Sequence, residues 1–219
     1  MMKPEEQAAV LDVFWRKGWN VHVHVNGDAG LDVVLDQIEN LMREAPDPRR
    51  RVVLEHYGYA RRDQHKRVAD LGILVSNNPY YVYELAPVYA EHGLGRERAE
   101  HISPLGGLAR AGVAFSLHSD FPMAPAEPLR LVWAAVTRKG SDGNTWGPGE
   151  RVSLDLALRA VTIEAARSLG LEQEIGSIRT GKKADFTILD EDPYEVDPNR
   201  LKDIGVWGTV FEGRVYPAD

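Results

Sequence analysis

Short β-rich runs alternate with amphipathic helices along most of this chain, and this alternation limits the fold more than any other feature. Valines alternate with histidines in the first run, as expected for a strand with one buried face. Strand–helix alternation favours a parallel sheet with crossover helices. The predicted strands cover residues 19–26, 51–56, 73–76 and 113–118.

The predicted helices are bounded by typical start and stop residues. Pro4 begins the first helix and Gly18 ends it. The second carries apolar residues on one face, at the spacing of a packed helix. Further helices are predicted over residues 62–71, 104–111, 129–136 and 154–169. Residues 77–81 are predicted to be a loop after the third strand, and the glycine-rich residues 140–149 a flexible loop.

The sequence pattern changes after Leu171. Residues 175–189 and 206–216 read as short strands joined by Gly-Lys and Glu-Gly turns. We therefore expect an α/β domain over residues 1–172 and a small β-structure over residues 173–219. A closed (β/α)₈ barrel takes ~250 residues, so four strand–helix units suit either half a barrel or a small open α/β sheet.

Composition excludes several kinds of protein. The chain has no cysteine, which excludes disulfides, thiolate zinc sites and cysteine nucleophiles and is consistent with a cytoplasmic location. Its net charge is −7, and its basic clusters are short and mixed with acids, which argues against nucleic-acid binding. No apolar run approaches the ~20 residues of a membrane span. The polar start lacks the apolar segment of a signal peptide.

Three residues with metal-binding side chains fall at predicted strand ends. His24 ends the first strand, His56 ends the second, and Asp120 lies just past the fourth. Functional groups of parallel α/β proteins gather at the carboxyl ends of strands. Two imidazoles and a carboxylate suit a divalent ion such as zinc, although a lone histidine at a strand end is more often structural.

Four segments resemble motifs of the amidohydrolase superfamily, in the group that includes N-substituted formamide deformylases. Residues 24–29 resemble the His-x-x-Gly-Asp segment of the fifth barrel strand, and residues 53–56 the Glu-His of the sixth. Residues 112–122, with Ser-Asp-x-Pro at their end, resemble the eighth-strand segment. Residues 162–190 resemble the final helix and the β-tail. All four occur in the order of the family.

This resemblance implies a fold and a chemistry. The fold would be the C-terminal half of a (β/α)₈ barrel, about strands 5–8, with part of a small β-sandwich after residue 172. His24, His56 and Asp120 would bind the metal, and Asp120 would also be the general base. The reaction would be hydrolysis of a carbon–nitrogen bond in a small amide-like substrate, with zinc as the first candidate metal. Asp28 would brace the loop after His24, and Tyr80 and Tyr81 would face the substrate.

The remaining metal ligands of such a site are not matched by any segment of this sequence. The family has a His-x-His pair on its first strand and a Lys or Glu on its fourth. His22-Val23-His24 is itself a His-x-His, but the Gly-Asp that follows favours the fifth strand and makes His22 a packing residue one layer below. The alternatives are a non-catalytic truncated chain, a homodimer of half-barrels, association with a missing N-terminal half, and a small-molecule binding module.

One further motif is discounted. Residues 176–183 read Gly-Ser-Ile-Arg-Thr-Gly-Lys-Lys and are close to a phosphate-binding loop. The motif ends in Lys rather than Ser or Thr, and a β-run follows where a helix is required. A turn between strands explains these residues better.

Overall fold

A parallel sheet of four strands forms the centre of the protein. The computed structural model describes residues 2–218, so Met1 and Asp219, the outer limits of the two predicted domains, lie outside the described residues. The strands follow one another across the sheet in chain order, and each neighbouring pair is parallel. They are β1 (Val21–Val25), β2 (Val52–His56), β3 (Leu74–Asn77) and β4 (Phe115–Leu117).

Nine α-helices accompany the sheets within residues 2–218, and most were predicted. They are α1 (Pro4–Arg16), α2 (Asp28–Glu44), α3 (Arg62–Asp70), α4 (Tyr80–His92), α5 (Arg96–Ala99), α6 (Leu105–Ala111), α7 (Pro128–Thr137), α8 (Leu154–Ala160) and α9 (Ile163–Leu169).

Two local predictions were wrong. Tyr80 and Tyr81 begin α4 rather than belonging to the predicted loop over residues 77–81; the helix was not predicted because Pro87 interrupts its pattern. The helix predicted over residues 154–169 is two helices, and the hydroxyl of Thr162 donates to the carbonyl of Leu158 at the break. Residues 140–149 connect α7 to α8, and Trp146 within them is buried; the flexibility of this loop stays a prediction.

The two faces of β1 have opposite environments. Val21, Val23 and Val25 are buried against the helices, whereas His22 and His24 point to the other face and are exposed. This is the period-two alternation of a strand. The helix α2 buries one apolar face in the same core, through Leu31, Val34, Leu35, Ile38 and Leu41.

A small antiparallel sheet follows the helices. Its strands β5 (Phe186–Leu189), β6 (Val206–Phe211) and β7 (Arg214–Pro217) lie in chain order, and a turn at Glu212 and Gly213 joins the last two as predicted. The segment before β6 places Leu201 and Ile204 in the main core. The loop that resembled a phosphate-binding motif holds the Lys182 amine against the carbonyls of Glu172 and Ile175.

The predicted α/β class is thus confirmed, with a parallel sheet and a small antiparallel sheet. The half-barrel and the domain boundary after residue 172 stay predictions. No helix within residues 2–218 combines the length and the apolar character that a membrane span requires.

An ion pair joins the start of β2 to the segment after α9. Arg51 donates to the Glu172 carboxylate at 2.6 Å and to the Arg167 carbonyl at 2.5 Å. The hydrogen bond from Arg51 lowers the pKa of Glu172 from 4.5 to about 2.

We expect Glu172→Gln to destabilise the protein at neutral pH and to have little effect near pH 2. The folded-state pKa of Glu172 is depressed, so its contribution is complete above about pH 4.5 and is lost as the pH falls toward 2. Denaturant unfolding of the wild type and the variant at several pH values measures the difference. Glu195→Gln, at an exposed position, is the control. A stability difference independent of pH would contradict this account.

Candidate active site

Three histidine rings meet at the carboxyl end of the parallel sheet. The centroid of the His56 ring lies 4.5 Å from that of His24 and 4.8 Å from that of His118, both in edge-on orientation. The Asp120 carboxylate lies 4.0 Å from His56 Nδ1. Neighbouring parallel strands end side by side, so residues distant in sequence converge here.

Two of these residues have an unusual backbone conformation. His56 has φ 69° and Asp120 has φ 54°, values that are uncommon for residues other than glycine. His56 aligns with Val25 across β1 and β2, a position whose side chain faces the helices in regular strands. The left-handed turn at His56 instead directs its ring toward His24. Strained backbone of this kind clusters at functional sites.

The scaffold beneath His56 is a buried hydrogen-bond chain. The Asn77 side-chain amide donates to the His56 carbonyl at 2.8 Å, and the Ser103 hydroxyl donates to Asn77 Oδ1 at 2.5 Å. Arg138 in turn donates to the Ser103 carbonyl at 2.9 Å. Asn77, Ser103 and Arg138 are all fully buried, so this chain holds the backbone at His56 in its left-handed conformation.

A layer of polar side chains lies next to His24, one layer closer to the start of the strands. Nδ1 of His22 and Oε1 of Glu55 are 2.6 Å apart, and the other Glu55 oxygen lies 3.8 Å from His118 Nε2. The hydrogen bond to Glu55 raises the pKa of His22. Burial acts to raise the pKa of Glu55, but hydrogen bonds from His22 and Ser76 hold it below its usual value. Glu55 therefore presents a carboxylate to both histidines.

The environment favours neutral imidazoles at His56 and His118. Burial lowers the pKa of both rings, and for His56 the nearby His118 and His24 lower it further. Neutral imidazole is the form that binds metal ions.

The donor atoms are of the types that bind divalent ions, and the distance between two of them is compatible with one shared ion. His56 Nδ1 and His118 Nε2 are buried and have no hydrogen-bond partner within residues 2–218. Two ligands that are each ~2.0–2.2 Å from one ion lie at most about 4.4 Å apart, so the 4.0 Å between His56 and Asp120 is compatible with a shared ion. No three donors in the described part of the chain converge closely enough to hold an ion. His24 is exposed, so its ring can turn without disturbing the core.

The three predicted site residues thus lie close together. The structure adds one residue to them and corrects the prediction for another. His24, His56 and Asp120 lie together, but their metal-binding and catalytic roles stay predictions. His118 was not predicted as a site residue, although its place two residues before Asp120 was a usable signal. His22 is not a packing residue, since its ring is exposed and bonded to Glu55.

Of the residues expected around the site, some lie where the sequence predicts and one does not. Tyr81 stacks on His56, with centroids 6.1 Å apart and planes 13° apart. Tyr80 does not face the site, because it is buried against Tyr83. Asp28 begins α2, where its carboxylate accepts from the Ala29 amide and lies 3.9 Å from Arg61, so it braces the loop after His24.

Sequence comparison relates nearly the whole chain to one family. The model of the amidohydrolase family matches residues 1–217. The chain is 35% identical over 199 residues to the N-substituted formamide deformylase of Arthrobacter pascens, covering 90% of this chain and 36% of the relative. It is 33% identical over 197 residues to the protein LONG AFTER FAR-RED 3 of Arabidopsis thaliana, covering 89% and 34%.

Comparison with solved structures agrees with the relationship found by sequence. An uncharacterized metal-dependent hydrolase from Pyrococcus horikoshii superposes with a TM-score of 0.77 and 27% identity. The match covers 90% of this chain and 39% of that structure. The chain therefore spans little more than a third of the length of these three proteins.

Proposed function

The chain belongs to the amidohydrolase family, and we propose that it carries the C-terminal part of a metal-dependent hydrolase site acting on carbon–nitrogen bonds outside peptides. The observation that carries this proposal is the convergence of His24, His56 and Asp120 at the carboxyl end of the sheet. The similarity to a formamide deformylase and to a metal-dependent hydrolase supports the reaction class.

In this proposal His24, His56 and Asp120 hold a divalent ion, with zinc as the first candidate because imidazole and carboxylate both suit it. His118 is a further donor beside His56. When bound, such an ion supplies a Lewis acid for the amide carbonyl and makes water nucleophilic near neutral pH.

The protein side chains supply positioning and proton transfer. Asp120 acts as the general base: its carboxylate is half exposed, so solvent and substrate can reach it. The neighbouring His56 cannot move far, because Asn77 fixes its backbone and Tyr81 stacks on its ring. The amide group of the substrate would lie over the exposed His24, on the open face of β1.

We also propose that a second polypeptide pairs with the edges of the parallel sheet and so covers the open face of β1. This polypeptide would be another copy of the chain or the remaining part of the hydrolase. In the described residues, β1 pairs only with β2, and β4 pairs only with β3. The unpaired edges of such a sheet are templates for further pairing. Either partner would bring additional metal donors beside His24.

Metal content per chain tests the site directly. Protein stripped by a chelator and dialysed against zinc is expected to retain the metal, and His56→Ala to bind it at least tenfold more weakly. His92→Ala is the matched control, because His92 is an exposed histidine on α4. Mass spectrometry of the separated monomeric and associated fractions shows which form holds the ion. Failure of every wild-type fraction to bind zinc, or an equal loss in His92→Ala, would contradict the proposed site.

N-substituted formamides are the first substrates to test, since the name of the Arthrobacter pascens relative specifies this class. Formate release by the metal-loaded protein is the measurement.

A further inference from the structure

A cavity of about 370 Å³ lies beside the candidate site and is separate from the metal donors. This volume is within the range of ~300–1,000 Å³ found for small-molecule pockets. Its apolar and aromatic wall is formed by Tyr59, Tyr81, Leu85, Tyr89, Leu94 and Ile102. An apolar cavity that opens next to a reactive centre is suited to the non-reacting part of a substrate.

The cavity and the site share a wall. The ring of Tyr81 lines the cavity and also stacks on His56. Asn26, two residues after His24, lines the cavity as well, and its side-chain amide donates to the Tyr81 hydroxyl at 3.4 Å. A ligand over His24 and His56 would therefore need to extend only past Tyr81 to enter the cavity.

Three polar residues also line the cavity, namely Asn26, Asp28 and Arg98. The guanidinium of Arg98 stacks over the Tyr59 ring at 5.4 Å, and Asp28 belongs to the loop after β1. The wall formed by α4 and the segment after it is apolar, through Leu85, Tyr89 and Leu94. This mainly apolar and aromatic lining suits a compact apolar group more than a charged or a long polar chain.

We propose that this cavity is the subsite for the nitrogen or acyl substituent of the substrate, and that it selects a ring-sized apolar group. The inference rests on the proposed hydrolase function for the placement of the amide, but binding to the cavity requires neither metal nor turnover. The free energy of burying an apolar group grows with the area removed from water, so a ring should bind much more tightly than a methyl group.

The test compares two amides, N-cyclohexylacetamide and N-methylacetamide, by isothermal titration and NMR with chelator-treated protein. We expect the cyclohexyl amide to bind at least tenfold more tightly, with shifts of the Leu85 and Leu94 methyl signals. Equal binding of the two amides, or no binding of either, would overturn the inference. Because no metal is present, these results are independent of whether the loaded protein hydrolyses amides.

A pair of variants on α4 locates the binding. Tyr89→Ser removes a ring from the cavity wall and is expected to weaken binding of the cyclohexyl amide at least fivefold. Val88→Ser is the matched control: it is exposed on the same helix and lies outside the cavity. Both positions are well exposed, at 39% and 49%, so neither change should unfold the chain, which melting curves would verify. An equal loss of binding in both variants would overturn the inference.

Discussion

Replacement of Arg138 with methionine is expected to lower the free energy of unfolding by at least about 3 kcal/mol, because several buried carbonyls would lose their hydrogen-bond donor. Arg138 is fully buried at the end of α7. Its guanidinium donates to four carbonyl groups, with distances of 2.6 to 3.3 Å, at Glu100, Ile102, Ser103 and Trp146. Burial lowers the pKa of Arg138 to about 10, so the group remains charged at neutral pH.

For a chain of this size the loss corresponds to a decrease of roughly 10 °C in melting temperature. Arg138→Lys should restore less than half of it, since an ammonium group cannot reproduce the planar fork of donors. Arg62→Met, at an exposed position in α3, is the control. Denaturant unfolding and calorimetry measure the effect. A loss below 1 kcal/mol for Arg138→Met would mean that the surrounding loops reorganise at little cost.

Substitution of Asp120 with asparagine is expected to reduce amide hydrolysis by the metal-loaded protein by a factor of about 10²–10⁴, the usual contribution of a general base. The amide side chain keeps the size of the carboxylate but cannot accept a proton at neutral pH. The left-handed conformation at this position also tolerates asparagine. The variant should therefore fold normally, and the melting temperature should confirm this.

Metal content separates the two roles proposed for Asp120. With the ion in excess and bound to wild-type level, a persistent loss of hydrolysis identifies the proton-transfer role. A loss that disappears at high metal concentration identifies a ligand role alone. Asp70→Asn, exposed on α3, is the control. Full activity of Asp120→Asn at every metal concentration would exclude both roles.

The sequence was sufficient for the order and the type of most elements. Apolar residues recur along α2 with the helical period, and valines alternate along β1. These are local signals, since each depends only on which face of one element meets the core. Local signals of the same kind were enough to predict that His24, His56 and Asp120 lie at strand ends, without knowing which residues surround them.

Local rules failed where another interaction decided the conformation. Pro87 concealed α4, and Thr162 divided a continuous apolar pattern between two helices. The exposure of His22 depended on which residue faces it across the sheet, and Glu55 is 33 positions away in the chain.

The sequence by itself determined the α/β class, the parallel arrangement of the strands and the positions of His24, His56 and Asp120 at strand ends. Only the tertiary structure decided that His56 turns inward, that His118 joins it and that a cavity opens behind Tyr81. The physical reason is that these features depend on contacts between distant segments. The left-handed turn at His56 is held by Asn77, which is fixed in turn by Ser103 and Arg138.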